Sequence, residues 1–442
     1  MLSAGSSSGS ASGEILTSGA GGRRDAGSLA PVSERIALLD VLRGVAVLGI
    51  LLINIGAFSG YVLVDPKIAA AMPAASADAA LRFLETALIE GKFYSLFSLL
   101  FGVGFAVMVS RAERAGRDPI PLLARRYAVL LAIGTLHVLL IWWGDILQLY
   151  ALLGFVLLGF TNRSVRALVT AAVVLLALPI ALYGLGLALL PPNWGTSIWN
   201  PRELMPLVSA IKSGTYAQIV AGQVHVAGMM WFRRVVLMFI PRVLGMFVLG
   251  FALGRLRVFE DPARHARLFR ALLWLGILVG LPASVLFAGL ESSGAAVGFL
   301  PLSFREFVRE VPDTIGTPLL SLGYVAGITL LFQRAGGRRL LGWFAPVGRM
   351  ALSNYLLHSV MFGAVFCGIG LGWFMRTSVA TSIAIAVCGY ALQIAGSRIW
   401  LSRFQFGPVE WVWRQLTYGK RVPLRRSAAT AIAPGASASA GA

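Results

Sequence analysis

The chain reads as an all-α, polytopic integral membrane protein of about ten transmembrane helices, with both termini in the cytoplasm and a C-terminal amphipathic helix on the cytoplasmic surface. Two features of composition predict this. Of its 442 residues 57% are hydrophobic and only 13% charged, and the mean hydropathy is +0.78, whereas soluble domains carry about a quarter charged residues. The net charge of +19 is broken up by long apolar runs and forms no contiguous basic face, which excludes a nucleic-acid partner in favour of a lipid bilayer.

A bilayer core needs about 20 apolar residues per helix. Such runs lie near 36 to 57, 93 to 110, 124 to 142, 145 to 161, 167 to 190, 235 to 254, 268 to 289, 315 to 333, 347 to 371 and 377 to 396. The first run is too long for a signal peptide, carries a charged motif and lacks a cleavage site, so it is expected to be retained. Residues 1–30 are rich in Ser, Gly and Ala and 427–442 are Ala-rich; both are expected to be disordered tails flanking one helical domain over 31–426.

Arginine distribution supplies the orientation. Arg111, Arg114, Arg117, Arg125 and Arg126 fall in the second connection, Arg163 and Arg166 in the fourth, Arg255, Arg257, Arg264, Arg267 and Arg270 in the sixth, and Arg334, Arg338, Arg339 and Arg349 in the eighth. The first and seventh connections are nearly balanced, with Asp78, Arg82, Glu85 and Glu90 in one and Glu306, Arg309, Glu310 and Asp313 in the other. The arginine-rich set is therefore cytoplasmic. The long fifth connection, 191 to 234, with Trp194, Trp199 and Trp231, is expected at the outer interface as a cover.

Charges inside spans cost about 2.5 to 3.5 kcal/mol each on insertion scales, so each polar group there needs a reason. In the first span Asp40 and Arg43 are i,i+3 neighbours able to neutralise each other, Gly44 permits close helix approach, and Asn54 lies near the outer end. In the second, Ser95, Ser98, Gly102 and Gly104 favour tight packing. Trp142 and Trp143 mark an interface and Gly144 a turn, which puts His137 about 9 Å deep, with Tyr150 as its hairpin neighbour and Asp145 at the rim. Spacing alone does not ensure contact between His137 and Asp145. An embedded histidine beside an acid and a tyrosine is a candidate base or ligand, although a satisfied packing histidine is the common alternative. The ninth span places Asn354 and His358 one turn apart, with Tyr355 adjacent.

Near the C-terminus Pro408 suits a helix start. Val409, Val412, Trp413 and Leu416 then make one apolar face, and Glu410 and Arg414 are spaced as an i,i+4 pair. This helix should lie on the cytoplasmic surface, with Lys420, Arg421, Arg425 and Arg426 toward anionic headgroups. Cys367 and Cys388 sit within apolar runs and indicate no disulfide framework. The four histidines, His137, His225, His265 and His358, share no metal-ligand spacing.

The strings RIALLDVLRGVAVLGILLINI, FYSLFSLLFGVGFA, RRYAVLLAIGTLHVLLIWWGDILQLYALLG, RVLGMFVLGFALGRLRVFED, RMALSNYLLHS and FGPVEWVWRQLTYGKRVPL together resemble the YeiB-like bacterial membrane proteins, which carry domain of unknown function 418. The resemblance runs from about residue 33 to 426. That family is grouped by remote similarity with transmembrane acyltransferases. The resemblance implies a multi-pass protein of the bacterial inner membrane that takes an acyl group from a cytoplasmic acyl-coenzyme A co-substrate to a glycan or lipid acceptor of the cell envelope. It would make His137 the base or acyl carrier, with Asp145 and Tyr150 beside it. Asp40, Arg43, Asn54, Arg126, Arg242, Asn354, Tyr355 and His358 complete the expected donor and acceptor contacts. The glycan-acylating branch often carries its histidine in the first span, where this chain has Asn54. The alternatives are a transporter or flippase using the same polar groups as a pathway, which should show a strong internal repeat, and a non-catalytic scaffold.

Overall fold

A computed structural model describes residues 32–63, 75–189, 201–233, 240–292 and 300–426. The expected tails, and Trp194 and Trp199 of the fifth connection, lie outside the described residues, as does the side chain of Trp231. Among the described residues there is no strand beyond an isolated bridge between Phe404 and Arg425.

The helices are α1 (Val32–Ser59), α2 (Ala75–Leu88), α3 (Lys92–Arg114), α4 (Pro119–Leu140), α5 (Leu147–Leu158) and α6 (Val165–Leu189). A hairpin of α7 (Pro201–Ser213) and α8 (Tyr216–Arg233) precedes α9 (Ile240–Arg255). Then come α10 (Ala266–Leu275), continued through a π-helical turn at Gly276–Gly280 into α11 (Leu281–Ser292), and α12 (Leu302–Phe332). The short α13 (Ala335–Leu341) and α14 (Ala345–Arg349) lead into α15 (Ala351–Phe366), α16 (Val379–Arg403) and α17 (Pro408–Tyr418).

Among the described residues each apolar run is largely helical, but only seven helices are long and apolar enough to cross a bilayer. The expected count of about ten is met only with α5, α9 and α15, of 12, 16 and 16 residues. At 1.5 Å per residue these reach about 18 to 24 Å, short of a core of about 30 Å. Non-helical backbone at membrane depth is tolerated where protein surrounds it.

Contacts between chain-distant segments sort the connections into two ends. At one end Arg255 reaches the carbonyls of Thr161 and Arg163 at 3.0 and 3.3 Å and the carboxylate of Glu113 at 3.5 Å. At that end too, Trp413 donates its indole N–H to the Arg126 carbonyl at 2.9 Å. The arginine-rich connections thus meet one another and α17. At the other end Tyr61 bonds both Glu85 oxygens at 2.8 Å, Met375 N–H reaches the Ser59 carbonyl at 2.7 Å, and Gly368 N–H reaches the Ile211 carbonyl at 2.7 Å. By the positive-inside rule the first end is cytoplasmic.

Small residues set the closest crossings. A Cβ at Gly102 would strike the Phe247 carbonyl and one at Gly250 the Leu99 carbonyl, so α3 and α9 touch backbone to backbone. Gly44 does the same against Phe344, and Gly348 of α14 against the Asp40 carbonyl. Gly104 makes no such contact; its bare face leaves room for the Arg43 guanidinium, 4.0 Å from where a Cβ would stand.

Candidate functional site

α4 ends one turn after His137 because the chain unwinds over residues 141–146, where the Ile141 and Trp142 amides both return to the His137 carbonyl. This loop folds Asp145 back onto the imidazole, which a regular hairpin would not do. His137 Nδ1 lies 2.8 Å from Asp145 Oδ1, with the side chains 1% and 0% exposed. The other carboxylate oxygen accepts the Gln148 amide at 3.0 Å in the first turn of α5. One aspartate therefore caps a helix and holds a histidine.

The other ring nitrogen, Nε2, is 2.9 Å from the hydroxyl of Ser359 on α15. Tyr355, one turn earlier, has its ring centre 5.5 Å from the imidazole. Its hydroxyl stands 3.5 Å from Asp145 Oδ1 and 3.4 Å from the Ile146 amide, both long contacts. Tyr150, expected beside His137, instead places its hydroxyl 2.7 Å from Ser98 and donates to the Tyr94 carbonyl at 2.9 Å. A hairpin with a six-residue irregular turn does not keep antiparallel register, so Tyr355 takes the place that spacing gave to Tyr150.

Asn354 and His358 are brought together, but in a separate network between α15 and α16. Asn354 Nδ2 donates to Ser397 at 3.0 Å and to the Met350 carbonyl at 3.0 Å. His358 Nε2 contacts Gln393 Oε1 at 2.6 Å, and Gln393 donates to the Asn354 carbonyl at 3.0 Å. Asn54 is half-buried on α1, one turn before Phe58, whose ring stacks on Trp142 at 4.4 Å.

At the cytoplasmic end Asp40 and Arg43 form the expected pair at 3.0 Å, with Arg43 one-third exposed. Arg126 lies over the Trp413 ring at 3.6 Å, within electrostatic reach of Arg43 and Arg414. Glu410 does not pair with Arg414. It turns inward to accept the amides of Leu352 and Ser353 at 2.7 and 3.0 Å and the Ser353 hydroxyl, so α17 caps α15. Arg414 lies instead over Phe406 and Tyr418. Burial pushes the Glu410 carboxyl above its usual range, while the bonds from Ser353 and Leu352 pull the other way.

Arg242 belongs to a cluster that sequence reasoning placed elsewhere. The sequence reading puts Glu310 and Asp313 in the seventh, outer connection, but α12 begins at Leu302 and carries both into the protein. Arg242 of α9 bonds both carboxylates and reaches the Thr314 hydroxyl at 3.0 Å. Lys92 is fully buried nearby, donating to the Thr86 carbonyl at 2.8 Å. The signal for this face was present in Glu306, Glu310, Asp313 and Thr317, which repeat at helical spacing. Ser359 had no local signal, since only the fold joins it to a residue 222 positions away.

Helices of this number and hydropathy, with ionisable groups packed between them, define a multi-pass membrane protein. Residues 253–420 match the family model described as a protein of unknown function, DUF418. The chain is 33% identical over 410 residues to the uncharacterized protein YxaH of Bacillus subtilis, covering 89% of this chain and 97% of the relative. It is 31% identical over 399 residues to the uncharacterized protein YeiB of Escherichia coli, covering 87% and 96%. An uncharacterized 39.9 kDa protein from the amylase 3' region of Bacillus acidopullulyticus is 28% identical, covering 89% and 96%. No solved structure matches the chain significantly. The chain belongs to the YeiB-like DUF418 family of bacterial cell-membrane proteins.

Proposed function

We propose that the protein is a transmembrane acyltransferase, taking an acyl group from a cytoplasmic acyl-coenzyme A thioester to a hydroxyl or amine acceptor on the far side. The observation that carries this reading is the His137–Asp145 pair. A carboxylate fixed by a helix amide holds Nδ1–H and turns Nε2, the nitrogen that would accept a proton, toward the Ser359 hydroxyl, the arrangement of a general base beside a hydroxyl. His137 lies in the last turn of a helix whose cytoplasmic end carries Arg126, so donor and base occupy opposite halves of the bundle. Arg43, Arg126 and Arg349 form a cationic mouth suited to the phosphates of the donor, with Asp40 holding Arg43 in place. The hairpin α7–α8 covers the outer end above the base, where Gln223 donates to the Ile141 carbonyl at 3.3 Å. Acceptors of the cell envelope, glycan or lipid, would enter there.

The test is release of free coenzyme A by the purified protein in lipid nanodiscs, offered acetyl-, succinyl-, octanoyl- and palmitoyl-coenzyme A with a bacterial envelope extract. Wild-type protein should turn over at least one donor and His137→Ala none. Equal turnover by both would refute the reading. The Arg242, Glu310 and Asp313 cluster favours a second reading, a transporter, because charges at membrane depth often line pathways. Substrate uptake into proteoliposomes without any covalent product would establish it instead.

A further inference from the structure

We propose that Ser359 is a covalent way-station for the acyl group, so that transfer proceeds in two displacements through an acyl-serine ester; this rests on the acyltransferase reading above. Two helices and one loop contribute a group each: His137 on α4, Ser359 on α15, and Asp145 in the irregular segment between α4 and α5. The chain of contacts Asp145 Oδ1, His137 Nδ1, His137 Nε2, Ser359 Oγ has links of 2.8 and 2.9 Å. With Asp145 accepting from Nδ1–H of a neutral imidazole, Nε2 has only a lone pair to offer, and the Ser359 hydroxyl is then the donor. A serine or threonine inside a helix commonly gives its proton to the carbonyl four residues back, as Ser59, Ser98, Ser321 and Thr329 do in this chain. In that tautomer Ser359 gives its proton to a base.

Position supplies the second argument. Ser359 is eight residues into α15, about 12 Å from the cytoplasmic start of that helix. Coenzyme A, a polyanion, stays at the arginine-rich mouth, and the acceptor stays outside. A nucleophile between them divides the crossing into two short transfers.

In the first, Ser359 Oγ attacks the thioester carbonyl carbon while His137 Nε2 takes the hydroxyl proton. The carbon–sulfur bond breaks, and the leaving thiolate receives that proton. In the second, His137 takes a proton from the acceptor hydroxyl or amine, which attacks the ester carbonyl. The carbon–oxygen bond to Ser359 breaks, and the proton returns to Ser359 Oγ. Nothing is oxidised or reduced.

The experiment uses the full chain in nanodiscs with the same four acyl-coenzyme A donors and no acceptor, acid-quenched and read by peptide mass spectrometry. Wild-type protein should carry one acyl group on Ser359, absent from Ser359→Ala and from His137→Ala. Ser359→Cys should carry a thioester removed by neutral hydroxylamine, a signature that a merely structural serine would not produce. Coenzyme A release by Ser359→Ala equal to wild type, or an acyl group found on His137 instead, would overturn the way-station while leaving the acyltransferase reading intact. No release by wild-type protein from any donor, with acceptor extract present, would overturn both.

Discussion

At the residue scale one carboxylate does two jobs. Asp145 bridges the first turn of α5 and the imidazole of His137, so its removal has a structural and a chemical consequence that different substitutions separate. Asp145→Asn keeps the shape and loses the charge that supports an imidazolium. On the acyltransferase reading, turnover should fall about 10²- to 10⁴-fold with little change in melting temperature. Asp145→Ala also leaves a buried nitrogen and a helix amide unpaired, and should cost about 1 to 3 kcal/mol in addition. Coenzyme A release and thermal melts on both variants check this. Glu410 offers a pH test. Its folded-state pKa is raised by burial, so the folded protein binds this proton more tightly than the unfolded chain does. Stability from this group therefore falls as pH rises through the window above its ordinary value and is greatest below it. Glu410→Gln should flatten that dependence with little loss, and Glu410→Ala should cost about 0.5 to 2 kcal/mol through the lost cap on α15. Melts from pH 4 to 8 would show it.

At the scale of elements, backbone contact at glycine does the positioning. α14 lies so close to α1 that a methyl at Gly348 would meet the Asp40 carbonyl, a rigid atom that cannot swing aside. Gly348→Ala should therefore destabilise by about 1 to 3 kcal/mol, read as a lower melting temperature in detergent. Gly336→Ala, with nothing within 4 Å, should be neutral. Such crossings were partly legible beforehand: Gly44 and Gly102 stand out as small residues in apolar runs, and each meets a neighbouring backbone. Which neighbour each meets was not, because hydropathy carries no information on helix adjacency. The same gap hid Ser359 and moved Tyr150 away from the base. It also put Glu310 and Asp313 inside, since a scan for apolar runs starts a helix after its last charge and α12 starts earlier.

Across the whole molecule, the alternation of arginine between connections agrees with the contacts that gather those connections at one end. Charge counting and packing are independent routes to the same arrangement of ends. With Cys367 and Cys388 replaced by serine, a membrane-impermeant maleimide added to intact cells should label a cysteine at Arg376, which is exposed at the outer end, and not one at Arg117. The reverse pattern would invert the orientation, and labelling of both would break the alternation. Composition and charge give the protein's class and its ends; the site needed the fold, because its three groups come from two helices and the loop between α4 and α5.

The central claim is that an acyl group crosses while its carrier does not. The measurement that bears on it most directly is a two-sided assay in sealed vesicles, with acyl-labelled coenzyme A at the arginine-rich face and an envelope extract enclosed. Wild-type protein should place label on an enclosed acceptor and leave free coenzyme A outside, and His137→Ala should do neither. Intact donor inside the vesicles, or labelled acceptor formed equally well by His137→Ala, would contradict the account.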